Sequence, residues 1–262
     1  MTPSPDRRIT AKHLWIAPLW LLVSSPIWLQ GQDPHLFYAL NSRLSSVPDG
    51  WWAALSLLGT GWAVYALCAW TLWRAPQVML AWLCAAPLAG LFTRLGKMMA
   101  DNPRPLEALG PERIHVIGDP LFVASMPSGH TMTAFAAATA IYFSLQTSGR
   151  FRFAWLFALA LGVGLSRIAV GAHWPADVAV GAGLGLFSGL AGAWIASRLP
   201  SHLVQVQSGL VRAVAVFGVY CLYVLLDDPM GFVINRPLQL VLGSFLAACL
   251  VVFVGKSIRP VG

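Results

Sequence analysis

Three short clusters of polar residues hold most of what could do chemistry in this chain. The first is Lys97 followed, after six intervening residues, by Arg104–Pro105. The second is Pro127–Ser128–Gly129–His130. The third is Ser166–Arg167, followed after five intervening residues by His173 and after three more by Asp177. Lys97, Arg104 and Arg167 supply cations, and an arginine fork matches the oxygens of a phosphate. Ser128 and Gly129 open a predicted helix, where free backbone N–H groups favour an anion and glycine permits close approach. The implied anion is phosphate-like. His173 and Asp177 lie one helical turn apart if the residues after Trp174–Pro175 are helical. Asp177 would then hold one ring nitrogen of His173 and leave the other for attack. His130 would be placed to protonate a leaving oxygen. Nucleophile, orienting carboxylate, acid and anion cradle together describe phosphoryl transfer through a phosphohistidine.

The elements that must position these residues are dictated by an apolar chain. Of its 262 residues 57% are hydrophobic and 10% charged, and the mean hydropathy is +0.68. A soluble domain carries roughly 25% charged residues, so a soluble secreted domain, a disordered protein and a coiled coil are excluded. A multi-span membrane protein remains. One span takes ~20 apolar residues, and the runs Leu14–Leu29, Trp52–Trp73, Val78–Gly96, Thr131–Leu145, Phe153–Val170, Val178–Ser197, Leu210–Leu226 and Leu238–Val254 predict about eight. The net charge of +7 comes from cations scattered singly between these runs, which makes no stripe for nucleic acid. Cys68, Cys84, Cys221 and Cys249 lie inside apolar runs without CxxC spacing and read as packing thiols, not metal ligands.

Basic residues set orientation. With the N-terminus inside, Arg7, Arg8, Lys12, Arg74, Arg150, Arg152, Arg198, Arg212, Lys256 and Arg259 fall on the inner side, whereas Asp6 alone among the acidic residues does so. Both termini are therefore expected in the cytoplasm, and all three polar clusters at the outer face. The first run follows Arg7, Arg8 and Lys12 as in a signal peptide, but no small-x-small cleavage site follows it, and it reads as an uncleaved span. Asp33, as cap, with Pro34 in the first turn predicts a short surface helix over Asp33–Leu44, its apolar face marked by Leu36, Leu40 and Leu44. Gly181, Gly185 and Gly189 recur every fourth residue, a period that lets helices approach within one chain. No repeat or linker interrupts the chain, so residues 1–262 read as one integral membrane domain.

The pattern Lys-x6-Arg-Pro, Pro-Ser-Gly-His, Ser-Arg-x5-His-x3-Asp resembles the three-part signature of the type 2 phosphatidic acid phosphatase superfamily. It is present here at every position between 97 and 177. The resemblance implies an all-α six-helix core, exceeded here by two C-terminal spans at about residues 208–255. It implies that Lys97, Arg104, Ser128, Gly129 and Arg167 bind the phosphoryl group, that His173 is the nucleophile with Asp177 as partner, and that His130 is the acid. No metal or other cofactor is implied. The partner would be a lipid phosphate of the bilayer, presented from the outer leaflet of a bacterial cytoplasmic membrane. Undecaprenyl pyrophosphate is favoured by analogy; phosphatidylglycerol phosphate, phosphatidic acid and lipid A phosphate are the other candidates. A lipid-to-lipid phosphotransferase would use the same residues, and a non-catalytic lipid-phosphate transporter or flippase the same cradle. The sequence does not address the oligomeric state.

Polar residues outside the signature read differently. Arg94, one turn before Lys97, could touch a headgroup, although an interface anchor is the simpler reading. Glu112, Arg113, His115 and Asp119 read as a solvated loop, Asp227–Asp228 as a solvated turn, and His13, His35 and His202 as interface bystanders. Arg236–Pro237 and Arg259–Pro260 repeat an Arg-Pro pair without an upstream lysine.

Overall fold

Within hydrocarbon a backbone must satisfy its own N–H and C=O groups, and a helix does this inside one segment. The structure, a computed structural model, describes residues 9–100, 102–145 and 147–258; Asp6, Arg7, Arg8 and Arg259, sorted above between the two sides, lie outside these. Among the described residues all regular structure is helical. The principal helices are α1 (Ile16–Val23), α2 (Pro34–Leu44), α3 (Asp49–Leu58), α4 (Gly61–Cys68), α5 (Pro76–Ala100), α6 (Pro105–Leu109), α7 (Gly129–Ser144), α8 (Trp155–Ala169), α9 (Pro175–Ala196), α10 (Gly209–Asp227) and α11 (Arg236–Ser257).

Among the described residues five stretches, built on α5, α8, α9, α10 and α11, are long and apolar enough to cross a membrane, and α3 with α4 makes a sixth if the bent pair is one span. That is fewer than the eight spans expected from the apolar runs, and each shortfall has a local cause. The first run is divided near Trp15 and Ser24, leaving α1 with eight residues. The second turns by 74° between α3 and α4, where Thr60 caps α4 by accepting from Ala63 N at 3.2 Å. The fourth, α7, has 16 residues; at 1.5 Å per residue it spans ~24 Å, short of a ~30 Å hydrocarbon core.

Helix α7 is nonetheless the centre of the fold, packed by α5, α8 and α9. The approach of α9 is close because glycines line it. A methyl group at Gly181, Gly185 or Gly189 would lie 2.7, 2.5 or 2.6 Å from the carbonyl oxygens of Ser128, Met132 and Ala136. The four-residue glycine period is thus intramolecular packing, as expected. Helices α10 and α11 pair with each other and lie against α4, where Tyr65 Oη donates to Val214 O at 2.6 Å. Val216, Val219, Tyr223, Val251 and Val254 point outward from this hairpin and are exposed, which suits a lipid-facing surface.

The short helix α2 forms as its cap predicts. Asp33 Oδ1 accepts from His35 N at 2.8 Å and Leu36 N at 3.2 Å, with Pro34 in the first turn. Its buried positions are Phe37 and Asn41, not the Leu36–Leu40–Leu44 row, which is half-buried. Asn41 explains the difference. Its Nδ2 donates to His115 O, Ile168 O and Ala169 O at 3.0–3.1 Å, and its Oδ1 accepts from His115 N at 2.9 Å. One buried amide therefore ties α2, the end of α8 and the 114–119 loop together.

Candidate active site

All three polar clusters converge at one end of the bundle. Lys97 lies in the last turn of α5, Gly129 and His130 in the first turn of α7, Arg167 in the last turn of α8, and Asp177 in the first turn of α9. The chain leaves α8 through a tight turn in which Arg167 O accepts from both Ala172 N and His173 N at 3.1 Å. Gly171, with φ +73°, supplies the left-handed backbone this turn needs. His173 is thereby delivered just ahead of α9, which Trp174 caps and Pro175 opens.

His173 is 2% exposed and Asp177 1%. Asp177 Oδ2 accepts from Trp174 N at 2.9 Å, from Ser125 Oγ, and from His173 Nδ1 at 3.2 Å. The assigned tautomer therefore carries its proton on Nδ1 and a lone pair on Nε2. Arg104 NH1 donates to that lone pair at 3.3 Å and to Ala172 O at 2.8 Å. Its Nε donates to Val123 O at 2.8 Å and its NH2 to Ala124 O at 3.3 Å. The guanidinium is thus fixed on three sides by carbonyls and meets His173 on the fourth. Burial first, then the charges of Arg104, Arg167 and Lys97, hold the His173 imidazole well below its ordinary 6.5. A neutral ring at neutral pH is the form a nucleophile needs.

Arg167, 2% exposed, donates from NH1 to Ser56 Oγ at 2.9 Å, and Ser56 is bonded to Ser166 at 2.9 Å. Its Nε is buried and finds no partner among the described residues, as an anion-binding group does before its anion arrives. Its Cζ stands 5.8 Å from the ring centre of Phe232. Half-buried Lys97 shares a groove with Arg94, Gly129 and His130 that runs past Thr93, Gly90 and Trp82. His130 also lines a second cavity, of about 360 Å³, together with Arg167 and Phe232.

One expected detail is corrected. Ser128 was read as offering a free backbone N–H to an anion, but that N–H donates to Asp177 O at 3.0 Å. Its Oγ, 0% exposed with the rest of the residue, accepts from Thr131 Oγ1 at 2.9 Å. The anion-facing amides of α7 are those that follow it, since the first intrahelical bond runs from Met132 N to Ser128 O at 3.0 Å. Ser128 is instead the joint that fastens the start of α7 to α9.

The eight site residues expected from the signature come together, and Arg94 stands beside Lys97 at the groove's exposed rim. The structure also adds residues the sequence reading passed over. Ser125 and Ser56 complete the hydrogen bonds of Asp177 and Arg167, and Asn41 anchors the loop. Ser125 stands two residues before Pro127, a proximity that could have drawn attention; Ser56 and Asn41 carry no local signal. Asp119 and Asp228 are exposed, as a solvated loop and turn require, and both also line the second cavity. His115 is not free in its loop, since its Nε2 meets Asp49 Oδ1 at 2.9 Å.

Comparison with known proteins agrees with this geometry. Residues 77–200 match the sequence profile of the PAP2 superfamily. A lipid A 1-phosphatase of Porphyromonas gingivalis is 39% identical over 75 residues, covering 29% of this chain and 17% of that protein. The bacitracin transport permease protein BcrC of Bacillus licheniformis is 43% identical over 76 residues, 29% of this chain and 35% of that one. These matches thus span well under two thirds of the relatives' own length. A lipid A 1-phosphatase of Rhizobium etli is 29% identical over 188 residues, 65% of this chain and 75% of that one. Among solved structures, a transmembrane PAP2 type phosphatidylglycerolphosphate phosphatase from Bacillus subtilis superposes with a TM-score of 0.54 at 15% identity, over 71% of this chain and 98% of that one. The helical bundle therefore has the PAP2 transmembrane fold, the chain is a multi-pass membrane protein, and its residues 77–200 resemble the PAP2 superfamily.

Proposed function

We propose that this protein is a membrane-embedded lipid-phosphate phosphatase that works through a phosphohistidine on His173. The observation that carries the reading is the setting of His173. Asp177 engages Nδ1 at 3.2 Å while Nε2 faces Arg104 at 3.3 Å, beside the charges of Arg167 and Lys97. An incoming phosphoryl group replaces Nε2 as the partner of Arg104 and so draws the cation off the lone pair that attacks. The Nε2–P bond forms as the P–O bond to the lipid breaks, and His130, neutral in the empty site through burial and the nearby cations but protonated together with the arriving phosphate, gives that proton to the leaving oxygen. Water then attacks phosphorus, His130 takes the proton from it, and the Nε2–P bond breaks to release phosphate. Lys97, Arg104, Arg167 and the amides at the start of α7 hold the phosphoryl oxygens as charge builds on them. These cations do the work a metal does elsewhere, so the reaction proceeds without one. Arg94 stands at the mouth of the groove beside Lys97, where it meets the headgroup as the lipid enters.

The substrate comes from the outer leaflet, with the site facing the periplasm or exterior and both termini in the cytoplasm. The relatives of greater coverage carry the name lipid A 1-phosphatase, which supports a lipid phosphomonoester. Undecaprenyl pyrophosphate, the analogy drawn from sequence, is the competing substrate. Purified protein in detergent with chelator present should release phosphate from such a lipid, and His173→Ala should release none. Transfer of the label to an added acceptor lipid in place of water would make the protein a phosphotransferase. The Bacillus licheniformis relative, a transport permease protein by name, favours a transport role as second reading; lipid binding with no turnover, equal in wild type and His173→Ala, would support it and sink the phosphatase.

A further inference from the structure

The α10–α11 hairpin lies outside residues 77–200, yet its tip reaches the site. Phe232 is 6% exposed and faces the Arg167 guanidinium at 5.8 Å. The tip is held rigidly. Gly231 O accepts from Asp119 N at 2.9 Å, and Gly118, at φ +82°, sits so close to Gly231 and Phe232 that any side chain there would collide. Gln239 Nε2 donates to Asp228 O at 2.6 Å, Asp228 Oδ1 accepts from Met230 N at 2.7 Å, and Asn235 Nδ2 bonds the hairpin to Ala53 O at 2.8 Å. These bonds hold Asp228 and Asp119 at one cavity with His130 and Arg167, the cavity of about 360 Å³. The buried, unpartnered Nε belongs to the same Arg167, so the cavity has a group waiting for an anion in its wall and two exposed acidic residues, Asp119 and Asp228, among its lining.

We propose that the hairpin tip, Asp228–Phe232, forms the leaving-group wall of the site, and that Asp228 and Asp119 select against a leaving group bearing a second phosphate. The inference rests on the phosphatase reading. The transferred phosphoryl group is held by Lys97, Arg104 and Arg167, so the leaving oxygen points toward His130 and into this cavity. A second phosphate carried by the leaving group would meet the two carboxylates as a like charge, whereas hydroxyl or amine groups would find acceptors there. Phe232 closes the cavity over Arg167, keeps water off it, and sets how bulky a leaving group fits.

The test compares kcat/KM for phosphatidic acid, phosphatidylglycerol phosphate and undecaprenyl pyrophosphate on the full-length protein in mixed micelles. Wild type should prefer the phosphatidic acid to the pyrophosphate. The double variant Asp119→Asn with Asp228→Asn should move that ratio toward the pyrophosphate by roughly tenfold; Asn keeps an oxygen for Met230 N. Phosphatidylglycerol phosphate, whose leaving group carries a phosphodiester, should gain on phosphatidic acid in the same double variant; Phe232→Ala, which leaves both carboxylates in place, should admit its bulkier leaving group better than wild type does, and Phe232→Leu should not. Asp119→Asn alone, in a loop outside the hairpin, should give a smaller shift in the same direction and serves if the double variant does not fold. Ratios unchanged in every folded variant, with His173-dependent hydrolysis intact, would overturn the leaving-group wall and leave the phosphatase standing. No His173-dependent hydrolysis of any lipid would overturn both.

Discussion

His173 has its two nitrogens in different environments, and that asymmetry makes its chemistry testable at the level of single atoms. Ser125 Oγ and Trp174 N both donate to the Asp177 oxygen that holds Nδ1, so Ser125→Ala should leave the carboxylate less firmly aimed. A fall in kcat of about tenfold with KM little changed is expected; an equal rise in KM would assign Ser125 to binding instead. Arg167→Lys keeps a charge but loses the fork and the bond to Ser56, and should cost about a hundredfold in kcat/KM. The depressed pKa of His173 also has a direction in stability. The unfolded chain takes up a proton near pH 6.5 that the native site refuses. The native state is therefore unaffected by this group above about pH 6.5 and loses stability below it, by up to about 1.4 kcal/mol per pH unit. His173→Gln removes the group. Thermal unfolding in detergent should show wild type losing ground to this variant as pH falls from 7.5 to 5.5, and parallel curves would contradict it.

At the scale of elements, the site is as good as the contact between α7 and α9. Gly185 lies against Met132 O and the Phe135 side chain, where a bulky group forces the helices apart. Gly185→Leu should destabilise by about 3 kcal/mol and should lower activity because Ser128 N and Asp177 O, on the two separated helices, hold the anion-facing turn against the nucleophile. Activity retained in a folded Gly185→Leu protein would show the site to be independent of that contact. Asn41→Ala orphans the His115 amide and removes the shared donor of three carbonyls. A loss of about 2–3 kcal/mol in unfolding free energy is expected, measured by denaturation in detergent.

For the whole molecule the open quantity is orientation. The proposed arrangement puts the 102–128 loop outside and the turn between α9 and α10 inside. A cysteine at Glu112 should react with a membrane-impermeant thiol reagent in intact cells, and one at Ser201 only after the membrane is opened. The reverse pattern would place the site in the cytoplasm and exclude an outer-leaflet substrate. The native Cys68, Cys221 and Cys249 are buried, and the half-buried Cys84 is replaced by Ser in both labelling variants.

The chain's own order carried a good deal of this. Scarce charge and long apolar runs determine a helical membrane protein, because hydrocarbon admits no other backbone without a closed barrel. Short-range spacing did the rest of what it can do: Asp33 capping at Pro34, His173 four residues before Asp177, and glycines every fourth residue are contacts within one or two helical turns. What it could not determine depends on contacts between residues far apart in the chain. Whether an apolar run stays straight is decided by its neighbours, so eight runs became five or six spans, with a 74° bend at Gly59–Thr60. Ser128 N was drawn to Asp177 O, Ser56 to Arg167 and Phe232 over the same guanidinium, across separations of roughly fifty to more than a hundred residues. No periodicity records such pairings. Only the closed bundle, in which nearly all buried polar atoms take a partner from whatever is nearby, decides them.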